Sequence, residues 1–247
     1  DILELAARAF LAPGDEAVYS QHAFAVYSLV TQAVGATGVV VPAKEFGHDL
    51  DAMLKAITPK TRMVFVANPN NPTGTLIGKV ALKKFLSLVP KRTLVMLDEA
   101  YDEYLTDELK AESIGWLAEF DNLVISRTFS KAYGLAGLRV GFGVTSSEIA
   151  DLMNRVRQPF NVNSVAQAAA VASLADDEFV ERTRALNQAG MVQVTQGLQK
   201  LGLTFIPSFG NFVSFKVDDA RGVYERLLNQ GVIVRPIGVY GLPQHLR

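Results

Sequence analysis

The chain contains no cysteine among its 247 residues, which excludes disulfides and thiolate metal sites and fits a reducing, cytoplasmic setting. Its histidines are only His22, His48 and His245, scattered without metal-ligand spacing, so no metal is expected. Neither sign of charge is in excess. A balance of 24 basic against 25 acidic residues leaves a net −1 and removes the electrostatic case for nucleic acid or an anionic membrane surface. No uncharged apolar run reaches the roughly 18 residues needed to span a bilayer. The opening Asp1-Ile-Leu-Glu-Leu-Ala-Ala-Arg8 carries acid early and is amphipathic, unlike a secretory signal. Internal repeats, low-complexity tracts and Ser/Gly linkers are also missing. What is left is a chain with 49% hydrophobic residues, enough to bury the core of an α/β enzyme.

Strand and helix patterns alternate along the first two thirds of that chain. Strands are predicted at 16–20, 38–41, 62–67, 93–97, 122–126 and 139–144, with helices at 2–12, 24–34, 49–56, 78–89, 146–156 and 164–174. Such alternation implies βαβ units and a mostly parallel sheet. Asp176 and Asp177 offer an N-cap for a long amphipathic segment at 178–201, where the domain junction is placed. Residues 1–176 then form a large domain, and 177–247 a linking helix with a partial small α+β domain. The small domain is assigned strands at 205–206, 212–217 and 232–235 and a helix at 221–230.

The most informative stretch is Thr128-Phe-Ser-Lys-Ala-Tyr-Gly-Leu-Ala-Gly-Leu-Arg139. It sets Lys131 beside two hydroxyls, follows them with Gly134 and Gly137, and returns an arginine. A lysine that forms a Schiff base with a phosphorylated aldehyde cofactor needs a nearby anion site. Thr128 and Ser130 can donate hydroxyl hydrogen bonds to phosphate, and Arg139 can add a bidentate charged contact. This reads as an anchor for pyridoxal 5′-phosphate. Alone, the run would be better explained as a surface Lys and Arg flanking a turn.

It is not alone. Val64-Phe-Val-Ala-Asn-Pro-Asn-Asn-Pro-Thr-Gly74, Thr93-Leu-Val-Met-Leu-Asp-Glu-Ala-Tyr101 and Asn122-Leu-Val-Ile-Ser-Arg127 are apolar strands that run into polar ends. Ligands of open α/β sheets bind outside the carboxyl ends of strands. One crevice can therefore collect Asn71, Asp98, Tyr101 and Lys131. Asp98 would pair with the pyridine nitrogen and keep the ring an electron sink. Asn71 and Tyr101 would hydrogen-bond the phenolic oxygen, and Lys131 would anchor the cofactor and shuttle a proton. The planar guanidinium groups of Arg235 and Arg247, at the ends of small-domain segments, suit either a phosphate or a carboxylate distant from the reacting amine.

The motifs Asn70-Asn-Pro-Thr-Gly74, Asp98-Glu-Ala-Tyr101 and Ser130-Lys-x-x-x-Leu-x-Gly-Leu-Arg139 resemble those of the fold-type I aminotransferases. Within that family the chain is most similar to the histidinol-phosphate aminotransferases, through residues 7–15, 21–27, 127–131 and 231–235. The resemblance implies a mostly parallel, seven-stranded type of sheet between helices. It implies that Phe24 stacks on the pyridine face, and that Arg247 receives an acidic group of the substrate, with Asn71 and Arg235 also in the substrate site. It further implies a homodimer joined mainly through the large domain, with Phe24, Asn71 and Lys131 near the interface. Family members continue beyond both ends of this sequence, so it is expected to be an interior fragment that lacks a phosphate-binding loop and is itself weak in cofactor binding or inactive.

The reaction so implied is transamination between histidinol phosphate and 2-oxoglutarate, giving imidazole acetol phosphate and glutamate, in histidine biosynthesis. Aromatic or aspartate transamination, or decarboxylation of an amino-acid phosphate, are the neighbouring readings. A non-catalytic sensor on the same scaffold is the reading of a different class. The completeness of Lys131, Asp98, Asn71, Tyr101 and Arg139 argues against a decayed site.

Overall fold

The computed structural model describes residues 1–247. Six strands form the central sheet: β1 (Glu16–Ser20), β2 (Thr37–Val41), β3 (Thr61–Ala67), β4 (Leu94–Asp98), β5 (Leu123–Thr128) and β6 (Gly141–Thr145). Their spatial order is β2-β1-β3-β4-β5-β6. Every pairing is parallel except the last, where β6 runs antiparallel to β5. The count is six rather than the seven implied by the resemblance. Each strand pattern legible in residues 1–176 is used, and no further segment of that region has the apolar run that a seventh would need.

Helices α1 (Ile2–Phe10), α2 (Ala25–Ala33) and α5 (Ser147–Arg155) cover one face, with Tyr27, Phe65 and Met96 in the shared core. The other face packs α3 (Leu50–Lys55) and α4 (Lys79–Leu88) around Val64, Val66, Leu82, Phe85 and Leu97. Alternate residues of β3 thus serve opposite cores, and that strand is buried at all but one position. Coverage on both faces is what a continuous apolar run such as Val64-Phe-Val-Ala67 encodes. Burying one side chain such as Phe85 contributes roughly 1.5–3 kcal/mol.

Beyond the sheet, α6 (Ser164–Leu174) and the long α7 (Asp177–Lys200) lead to a small antiparallel sheet. Asp176 caps α7 as expected, its carboxylate accepting the Phe179 N–H at 3.0 Å. The small sheet joins β7 (Phe205–Ile206), β8 (Ser214–Lys216) and β9 (His245–Leu246), with α8 (Ala220–Asn229) packed beside it. The strand expected at 232–235 does not form. Arg235 exchanges two backbone hydrogen bonds with Arg247, at 2.9 and 2.8 Å, but Pro236 follows and has no N–H for a ladder. Pairing is reduced to an isolated bridge between Pro236 and Leu246. The apolar Ile233 is left 81% exposed, without a sheet face to bury it.

The small sheet rests on the loop after β3. Ser214 Oγ donates to the Pro72 carbonyl at 2.6 Å, and the Phe209 N–H donates to the Gly74 carbonyl at 2.8 Å. Gly74 permits this approach: its φ is +78°, and a Cβ there would lie 2.0 Å from Ser208 Oγ. A second tie is His22, whose Nδ1–H donates to the Tyr240 carbonyl at 2.6 Å.

Candidate active site

The carboxyl ends of β3, β4 and β5 open onto one cavity of about 740 Å³. Phe24, Asn71, Asp98, Tyr101, Thr128, Ser130, Lys131, Arg139, Arg235 and Arg247 all line it, so every site residue read from the sequence comes to the same place.

The loop after β3 is tied by its own side chains. Asn68 donates to the Ile77 carbonyl at 3.2 Å and accepts the Ile77 N–H at 2.7 Å. Asn70 donates to the His22 carbonyl and to Thr73 Oγ1, both at 2.7 Å. Those bonds hold the turn, and Asn71 is left to face the cavity. Its Nδ2 donates to the Tyr101 hydroxyl at 3.3 Å, and its Oδ1 accepts from Arg247 Nη1 at 2.6 Å. The Arg247 guanidinium also lies 5.0 Å from the Phe212 ring centroid, a cation–π contact that steadies its plane. Burial pushes the Tyr101 phenol up to about 12, against the opposing pull of Arg247.

Asp98 ends β4 at the cavity wall. Its Oδ2 accepts the Tyr27 hydroxyl at 2.8 Å and its Oδ1 accepts the Ala100 N–H at 3.3 Å. No ion pair includes this carboxylate. Burial raises its pKa, although Tyr27, the Ala100 amide and Ser126 each pull the other way. A desolvated carboxylate of this kind is completed by a cation supplied from the cavity side.

Lys131 stands in the turn after β5, its Nζ 5.7 Å from the Tyr101 ring centroid. Desolvation lowers its pKa, and the nearby charges of Arg247 and Arg139 lower it further. The amine is thereby shifted toward the neutral form that nucleophiles and bases require. Thr128 Oγ1 accepts the Ser130 N–H at 3.1 Å, which folds the turn back on itself. Arg139 adopts a left-handed φ of +54° and spends one guanidinium N–H on the Ala136 carbonyl at 2.8 Å. A left-handed arginine costs on the order of 1 kcal/mol, and here that conformation accompanies a guanidinium turned to the cavity. Arg235 is exposed at the rim and makes no side-chain hydrogen bond within the chain.

Several lining residues were not anticipated. Tyr27, Arg127, Asn161 and Tyr240 also border the cavity. A buried tyrosine in an apolar helix signals that its hydroxyl has a partner, yet the sequence does not say which. Arg127, one residue before the Thr128 turn, is held by Glu99 through bonds of 3.0 and 2.7 Å and by Asp102 at 3.1 Å, with Glu103 3.9 Å away. Three buried carboxylates thus share one arginine, and burial lifts Glu99 to about 7.

A phosphorylated pyridine aldehyde fits this donor set. The uncompensated Asp98 matches a protonated ring nitrogen, the hydroxyls of Thr128 and Ser130 with Arg139 match a phosphate, and the Lys131 amine matches the aldehyde.

Comparison with known proteins agrees with the geometry. The family described as aminotransferase class I and II matches residues 1–247. The chain is 74% identical over 247 residues to the histidinol-phosphate aminotransferase of Methylobacillus flagellatus, covering 100% of this chain and 67% of that protein. It is 61% identical over 248 residues to histidinol-phosphate aminotransferase 2 of Nitrosospira multiformis, covering 100% of this chain and 63% of the relative. Among solved structures, the histidinol-phosphate aminotransferase of Sinorhizobium meliloti in complex with pyridoxal-5′-phosphate superposes with a TM-score of 0.94 at 29% identity, over 100% of this chain and 68% of that one. The chain therefore spans about two thirds of the length of these relatives.

Proposed function

From the premise that the chain belongs to the class I and II aminotransferases, which work with pyridoxal 5′-phosphate, we propose that it carries the active site of a histidinol-phosphate:2-oxoglutarate aminotransferase. The observation that carries this reading is the cavity wall itself: a half-buried Asp98 that is in no ion pair, together with Lys131 and Arg247, lines one space. High identity to two proteins named as histidinol-phosphate aminotransferases supports the choice of substrate.

Bound here, the cofactor supplies an aldehyde that condenses with amines and a ring that accepts carbanion charge. Asp98 holds the ring nitrogen's proton in place. Asn71 and Tyr101 present their amide and hydroxyl to the phenolic oxygen, and Phe24 covers one ring face. Thr128, Ser130 and Arg139 hold the phosphate and so fix the position of everything attached to it. Lys131 Nζ anchors the resting cofactor and, once released, takes up the proton that leaves the substrate Cα. Desolvation, with the charges of Arg247 and Arg139, lowers its pKa and so favours the neutral amine more than in an ordinary lysine. Arg247, planar and braced by Phe212 and Asn71, receives the acidic group of each substrate in turn. Arg235, exposed at the rim, is a second donor for that same phosphate of histidinol phosphate or for the other carboxylate of glutamate.

The division into a large domain at 1–176 and a linking helix with small domain at 177–247 belongs to the same proposal, as does a cytoplasmic homodimer. Exposed apolar side chains support the dimer: Val165 and Val171 of α6 are 67% and 72% exposed. No helix is long and apolar enough to cross a membrane. The deciding experiment is a half-reaction screen of the full-length enzyme. Histidinol phosphate and glutamate should each convert the bound cofactor to its amine form. A site that answers aspartate or aromatic amino acids but not histidinol phosphate would reassign the substrate, and one that answers no amine would point to a sensor.

A further inference from the structure

We propose that Tyr27 is a positioning residue for the reaction: its hydroxyl orients the Asp98 carboxylate and keeps it ionised where the cofactor ring sits. This rests on the reading of Asp98 as the partner of the pyridine nitrogen, and it deepens that reading.

Three observations converge on Tyr27. Its side chain is fully buried, and its ring stacks on Phe65 of β3 with centroids 4.7 Å apart and planes 9° apart. That clamp leaves the ring little freedom, so the direction of the hydroxyl is set by the packing of α2 on β3. The hydroxyl reaches Asp98 Oδ2 at 2.8 Å, while the remaining backbone donor to this carboxylate, Ala100 N–H, is at a longer 3.3 Å. The same ring meets Phe24 edge to face, with centroids 6.0 Å apart and planes at 89°. Phe24 caps α2, so one helical turn carries both the ring that faces the cofactor and the donor that serves its aspartate.

The consequence follows from desolvation. A carboxylate removed from water returns to its neutral acid unless donors or cations favour its charge. Of the donors on Asp98, Tyr27 offers the short one, and a hydrogen bond to a charged group is about twice as strong as a neutral one. Without it, Asp98 takes up a proton more readily, and a neutral acid does not hold a protonated ring nitrogen. Tyr27 also gains from the pairing, since a buried phenol needs an acceptor.

The test is a double-mutant cycle in the full-length protein, read as equilibrium affinity of the apoenzyme for pyridoxal 5′-phosphate. Tyr27→Phe keeps the stacked ring and should weaken binding roughly tenfold, the effect of a lost charged hydrogen bond. Asp98→Asn should weaken it more, and the double variant should be no weaker than Asp98→Asn alone. In Tyr27→Phe the affinity should also fall off at a higher pH than in the unaltered enzyme as pH is lowered, which loosened packing alone does not produce. Losses that add across the cycle, or an unchanged affinity in Tyr27→Phe, would overturn the proposal while leaving the role of Asp98 intact. Unaltered binding in Asp98→Asn would instead overturn the reading of the site. Should Tyr27→Phe not fold, 3-fluorotyrosine at position 27 supplies a stronger donor of similar size. It should move the pH at which affinity falls downward, and an unmoved profile counts against the role.

Discussion

Arg247 Nη1 donates to Asn71 Oδ1 at 2.6 Å, a bond between the last residue of the chain and the loop after β3. With Asn71 Nδ2 donating to the Tyr101 hydroxyl at 3.3 Å, it makes a continuous bridge from the small sheet to the end of β4. The proposed substrate arginine is thus oriented by a proposed cofactor residue. Arg247→Lys keeps the charge and loses both the fork and the Phe212 stack. KM for the amino donor and for 2-oxoglutarate should each rise roughly 10–100-fold, with cofactor affinity changed less than about threefold. Steady-state kinetics on the full-length enzyme checks this; equal loss in cofactor binding would make Arg247 a structural strut.

Arg139 offers a separable test because its backbone is left-handed and its side chain faces the cavity. Arg139→Ala should weaken cofactor affinity by about 1.5–3 kcal/mol, the range for a hydrogen bond to a charged group. Arg139→Gly should lose the same affinity and yet leave the apoenzyme more stable than the alanine variant, since glycine tolerates φ near +54°. Titration with the cofactor and thermal unfolding read the two effects independently.

Asp98→Asn keeps size and removes charge. It should slow the proton-transfer step of the half-reaction far more than it slows amine exchange, because only the former needs the protonated ring as an electron sink. Stopped-flow measurement of both phases decides the point, and equal slowing would mark Asp98 as structural.

The arginine shared by Glu99, Asp102 and Glu103 links stability to pH. Arg127→Met should destabilise the fold by about 3–5 kcal/mol, the cost of leaving buried charge uncompensated. Glu99 has its pKa raised by burial to about 7 from an ordinary 4.5, so between those values the folded state holds a proton that the unfolded state has released. Stability from this group therefore declines as pH rises through that window. Removing Arg127 extends the window upward. Denaturant unfolding at pH 5.5 and pH 8 should show the larger mutational loss at pH 8.

Much of this architecture is legible in the chain, and the exceptions have physical causes. The central strands β3, β4 and β5 announce themselves as apolar runs leading into Asn68, Asp98 and Thr128, because burial on both faces demands such runs. Val232-Ile-Val-Arg235 has the same look but precedes Pro236, which removes the donor a ladder needs, and β9 is too short to show a period. Residues such as Asn71 and Lys131 are visible because their chemistry sits in loops. Tyr27 and Arg127 are not, since their partners lie 71 and 28 positions away and only the sheet order brings them together.

The most direct measurement is borohydride reduction of the full-length, cofactor-loaded enzyme followed by peptide mapping. The pyridoxyl group should be recovered on Lys131, and Lys131→Ala should bind the cofactor without a reducible linkage and lose transamination by several orders of magnitude. Recovery of the label on any other lysine, or full activity in Lys131→Ala, would contradict the site described here.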